Sequence, residues 1–152
     1  MAETRDLVAL YRQTVLDHSR QPRNFRRLDP ADRTIVGHNP LCGDKMTLYL
    51  NIDQDRIEDL SFEGTGCAIS MASASIMTEM LRHRSLDEAQ LQIDSVMRDF
   101  EPHGTDDIPI DGAMAALGGV RAYPSRIKCA TLAWKTLAAA LRNQAATVTT
   151  ED

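Results

Sequence analysis

The chain has 152 residues, the usual size of one domain and enough to bury a core without disulfide staples. With 17 Lys and Arg against 22 Asp and Glu its formal charge is −5, so no global field draws it to nucleic acid or to an anionic membrane. Its three cysteines are an odd number, which excludes a complete set of internal disulfides, and no apolar run reaches membrane-spanning length.

The opening residues, Met1 to Leu7, lack the apolar core of a secretion signal, so the expected compartment is cytoplasmic and reducing, with thiols left free. Leu7, Tyr11, Val15 and His18, joined by Leu10, predict an amphipathic helix that ends before Pro22. Residues 20–33 are basic and rich in turn formers, which reads as an exposed loop. Arg33 to His38 supplies a short strand. Met46 to Asp53 alternates apolar and polar, as a strand with one buried face does, and Ile57 to Gly64 returns beside it after a turn. The spacing from Ile57 to Leu60 breaks the alternation and predicts a bulge.

From Cys67 the period becomes helical, through Ile69, Ala72, Ile76 and Met80. Ser85-Leu86-Asp87-Glu88 has the form of a capping box, followed by an apolar stripe from Leu86 to Phe100 that Pro102 stops. Residues 101–112 are an acidic, breaker-rich loop. A short helix from Ala113 to Leu117 is expected to end at Gly118-Gly119, and a last helix starts near Pro124-Ser125. The expected fold is α+β, a small antiparallel sheet of three strands packed by about five helices. It forms a single domain over residues 1–144, with a flexible tail over 145–152.

Cys42, Cys67 and Cys129 are widely separated and flanked by glycine, proline and charge, a setting for ligands or nucleophiles. Asp44 stands two residues after Cys42. Extended backbone would place both on the face of Met46 and Leu48, and Gly43 between them has no side chain to block an ion. Cys67 falls at a strand-to-helix junction and Cys129 in the first turns of the last helix, where free amides and nearby cations favour thiolates. Three thiolates and a carboxylate carry four negative charges, of which a divalent ion offsets two; Arg126 and Lys128 are placed to compensate the rest. Sulfur ligands favour zinc or an iron–sulfur centre over magnesium or calcium, and a carboxylate makes the shell easier to open. The segments lack paired Cys-x-x-Cys knuckles, so spacing alone leaves two readings, a shared metal site or buried structural thiols.

Four stretches carry a family pattern: Leu16-Asp17-His18 with Pro22-Arg23-Asn24-Phe25; Asn39-Pro40-Leu41-Cys42-Gly43-Asp44; Gly64 through Ser75; and Gly119-Val120 through Pro124-Ser125-Arg126-Ile127-Lys128-Cys129 to Trp134. Together they resemble the IscU-like family of iron–sulfur cluster assembly scaffolds and, within it, the SufU branch. Lys128 stands where the general IscU pattern has a histidine, and the stretch from Cys67 to Cys129 is longer, both as in SufU-type proteins. The resemblance implies an IscU/SufU-like fold and a zinc centre ligated by Cys42, Asp44, Cys67 and Cys129. It also implies a sulfur-accepting role with a SufS-type cysteine desulfurase. Cys42 would take the persulfide, Arg126 would be a nearby or partner-contacting cation, and downstream iron–sulfur assembly machinery would receive the sulfur. The alternative is a non-enzymatic scaffold binding a nascent 2Fe-2S or 4Fe-4S cluster at the same residues, and the third reading is a structural zinc module.

Other residues have plainer readings. The four histidines, His18, His38, His83 and His103, lack mutual ligand spacing and read as solvated or capping. Arg20, Arg23, Arg26 and Arg27 form either a docking surface or a solvated loop. Ser70, Ser73 and Ser75 read as helix-packing residues, and Trp134 as core.

Overall fold

Helix α1 (Ala2–Arg20) leads into the basic loop, and three antiparallel strands follow: β1 (Arg33–Asn39), β2 (Asp44–Asp53) and β3 (Arg56–Thr65). These come from a computed structural model that describes residues 2–40, 43–101, 112–142 and 147–149, the first seven of these and 147–149 by backbone alone. Cys42, the loop 102–111 and tail residues 145, 146 and 150–152 lie outside the described residues. A fourth, short strand, β4 (Thr147–Thr149), pairs in parallel with β1 in a sheet of order β3-β2-β1-β4. The three expected strands are thus joined by one drawn from the stretch read as tail, where a Thr-Val-Thr run suits extended backbone.

The β2–β3 register slips by one between Asn51 and Ile52, leaving Glu58 as the extra residue at the break in alternation. Along β2, Asp44, Met46, Leu48 and Leu50 are buried while Lys45 is exposed. The buried face is covered by α2 (Ala68–Leu81) and α4 (Pro124–Leu141), which also pack on each other. Phe62, Ile76, Met77, Trp134 and Leu137 fill the space between them. Gly37 of β1 lets α4 approach, because a Cβ there would run into the Thr136 hydroxyl.

Small residues on α2 make it a connector rather than a surface helix. Ser73 Oγ donates to the Ala130 carbonyl and accepts the Trp134 indole N–H at 3.1 Å, tying α2 to α4 as the helix-packing reading expected. Helix α3 (Leu86–Asp99) starts with both hydrogen bonds of the capping box between Ser85 and Glu88. The segment Ala113–Ala122 is a 3-10 helix that runs through Gly118-Gly119 instead of stopping there. It stops at Tyr123, whose extended φ of −128° and ψ of 93° is what the following Pro124 demands.

The basic loop is tied down within the molecule. Arg23 pairs with Asp17, Arg26 pairs with Asp59 at 2.9 Å, and Phe25 meets Phe62 edge-on with centroids 5.1 Å apart. His18 departs from the expected solvated or capping role: it is buried, and its Nδ1 lies 2.7 Å from Ser75 Oγ. Its place on the apolar stripe of α1 agrees with this burial, but the partner that accommodates it stands 57 residues away. No described helix is long and apolar enough to cross a membrane.

Candidate metal centre

Asp44, Cys67 and Cys129 arrive from β2, the start of α2 and the second turn of α4, and their ligand atoms all lie within 4.8 Å of one another. Asp44 opens β2 on the buried face shared with Met46 and Leu48, as its alternation required, and is 0% exposed. A carboxylate so deep needs partners. Its Oδ1 accepts the Cys67 backbone N–H at 3.0 Å and its Oδ2 faces Asn39 Nδ2 at 3.4 Å.

Cys67 is the N-cap of α2, with no carboxylate in the first helical turn. The positive end of the helix is therefore shared by its sulfur and by the Asp44 carboxylate, which reaches it from β2. Gly66 precedes it because the space there is taken: a Cβ would strike Ser70 Oγ and come within 2.9 Å of Asp44 Oδ1. Hydrogen bonding from Cys129 is the main cause that pulls the Cys67 thiol down to about 5. Burial opposes it, the Ser70 amide and hydroxyl assist, and the Asp44 charge pushes the other way. Cys129 is 1% exposed and lies 3.6 Å from Asn39 Nδ2.

Two sulfurs and one carboxylate oxygen, gathered from three elements, are a donor set that suits zinc or iron and does not suit magnesium or calcium. The structure brings together three of the four expected ligands, while Cys42 lies outside the described residues. Arg126 and Lys128 lie in the first turns of α4 beside Cys129, the former exposed and the latter half-buried. Two contributors were missed. Asn39 lies one residue past the strand expected over Arg33 to His38, yet continuing the buried phase of Ile35 and Gly37 reaches it. Ser70 read only as a packing residue, yet its hydroxyl sits 3.8 Å from the Cys67 sulfur.

Residues 10–130 match the model of the NifU-like N terminal domain. Over 139 residues the chain is 43% identical to the zinc-dependent sulfurtransferase SufU of Bacillus subtilis strain 168, covering 90% of this chain and 92% of that protein. It is 38% identical over 136 residues to the iron–sulfur cluster assembly scaffold protein IscU of Streptococcus pyogenes serotype M1, covering 90% and 85%. A crystal structure assigned to a SUF-system scaffold from Fervidobacterium islandicum AW-1 superposes with a TM-score of 0.76 at 34% identity, covering 84% of this chain and 93% of that one.

Proposed function

The chain belongs to the NifU-like N-terminal domain family, and on that premise we propose that it is a zinc-dependent sulfurtransferase of iron–sulfur cluster biogenesis that accepts persulfide sulfur from a SufS-type cysteine desulfurase on Cys42. The observation that carries the reading is the convergence of buried Asp44 with Cys67 and Cys129, in a chain 43% identical to a zinc-dependent sulfurtransferase. Structural zinc sites close with sulfur and imidazole ligands; a carboxylate among the donors favours exchange.

Cys42, Asp44, Cys67 and Cys129 would hold the ion. When bound, zinc supplies positive charge that keeps the thiols deprotonated, and it has no redox chemistry of its own. The chain's own groups do the rest. The Cys67 amide N–H fixes the Asp44 carboxylate, and the α2 N-terminus favours negative charge on the Cys67 sulfur. Arg126 and Lys128, three residues and one residue before Cys129 in α4, would supply compensating positive charge. In the transfer, the Cys42 thiolate attacks the outer sulfur of the desulfurase persulfide. A new S–S bond forms on Cys42 as the old one breaks, and the electron pair leaves on the desulfurase cysteine, with no net oxidation.

The test is intact mass after incubation with a cysteine desulfurase and cysteine. The expected result is one added sulfur, mapped to Cys42 and absent in Cys42→Ser. A Cys42→Ser protein that still accepts sulfur and stimulates the desulfurase overturns the assignment. No added sulfur, with a visible cluster after supply of iron and sulfide, supports the scaffold reading instead.

A further inference from the structure

Asn39 is the last residue of β1, stands opposite Asp44 in the β1–β2 register and is 0% exposed. Its Nδ2 lies 3.4 Å from Asp44 Oδ2 and 3.6 Å from Cys129 Sγ. A carboxamide nitrogen carries two N–H donors, whereas an ionised carboxylate only accepts, so this one group can serve both neighbours. The other Asp44 oxygen already takes the Cys67 N–H. A continuous path of contacts therefore runs from Cys67 through Asp44 and Asn39 to Cys129, across α2, β2, β1 and α4.

The residue type fits the task. A neutral donor draws negative charge off a carboxylate and a sulfur without bringing a second charge into a buried place. An aspartate of the same shape would add a carboxylate against the first, and a leucine would offer no donor at all. Strand β1 contributes no ligand among the described residues, yet it presents this amide between two of them.

We propose that Asn39 is a positioning residue of the metal centre: by donating to Asp44 and Cys129 together, it holds a carboxylate from the sheet and a thiolate from a helix in register for zinc, and it lowers the electron density on the Cys129 sulfur. This rests on the zinc reading above and assigns a residue that reading does not use.

The experiment compares the full chain with Asn39→Leu, by zinc competition against a chromophoric chelator and by the thiolate-to-metal charge-transfer band of the cobalt-substituted protein. The expected result is zinc binding weaker by about 10- to 100-fold, the usual cost of losing an outer-sphere partner. The band should move to lower energy, because a sulfur without its N–H donor gives up an electron more readily. Zinc affinity within about twofold of the unsubstituted chain overturns the proposal. So does weaker binding with an unmoved band, which marks a merely structural role. Asn39→Ala is measured in the same way and decides the question if Asn39→Leu does not fold. A chain with Asn39 intact that shows no thiolate-to-cobalt band removes the zinc reading itself, a result distinct from any difference between variants.

Discussion

Ser73→Ala is the sharpest test of how α2 and α4 are held together. Ser73 is fully buried, donates to the Ala130 carbonyl and accepts the Trp134 indole N–H. Removing the hydroxyl leaves a buried N–H without its acceptor, at about 1–3 kcal/mol, and removes a further bond worth about 1 kcal/mol. Alanine returns about 0.5 kcal/mol through its better helix propensity. The expected net loss is about 2.5 kcal/mol, or about 1.2 M in the urea midpoint at a slope near 2 kcal/mol/M. Trp134 is the single tryptophan of the chain, so its fluorescence reports this contact in the same titration. In a Trp134→Phe background, followed by circular dichroism, the indole N–H is already gone and Ser73→Ala should cost about 0.5 kcal/mol. An equal cost in both backgrounds, or a midpoint shift under about 0.2 M in the first, refutes the reasoning.

Two further outcomes depend on protonation. Because the Cys67 thiol is lowered to about 5, alkylation of the metal-free protein at Cys67 should stay fast down to that pH and fall only below it; Cys129→Ala, which removes the main stabilising hydrogen bond, should move the midpoint upward. His18 is lowered, first by burial and then by Arg23, against the opposing charges of Glu79 and Asp17. The unfolded chain therefore binds this proton first, and stability should fall as pH drops below the ordinary histidine value of about 6.5. Urea midpoints taken at several pH values should show that slope, and His18→Gln should flatten it.

Much of the molecule could be read from local pattern. The alternation of Met46 to Asp53, the break before Leu60 and the Ser85–Glu88 capping box each depend on near neighbours, and each stands in the structure. So does the shared position of Asp44 and the two cysteines, because residue type and flanking sequence marked them individually. Long-range pairings were not legible. The His18–Ser75 contact, the Arg26–Asp59 pair and the Asn39 amide between Asp44 and Cys129 join residues 57, 33 and up to 90 positions apart. Single-chain periodicity gives a face, not the identity of what lies across it. The 3-10 course through Gly118-Gly119 escaped for a related reason. Glycine marks a weak point in a helix, but the packing of this segment on α1 and α4 decides whether the helix ends there.

Strand β1 touches α4 at both ends. Arg33 Nη1 donates to the Ala140 carbonyl at 2.7 Å and to that of Leu141 at 3.1 Å, while Asn39 reaches Cys129. Six strand steps from Arg33 to Asn39 span about 20 Å. Twelve helical steps from Cys129 to Leu141 span about 18 Å. The two lengths are commensurate, so the strand acts as a gauge for the helix. Deleting one residue between Arg33 and Asn39 would shorten the gauge by about 3.4 Å and send the remaining side chains to the opposite face. Arg33 and Asn39 could not then both meet α4, and the sulfur of Cys129 would lose its place relative to the sheet without any ligand having been changed.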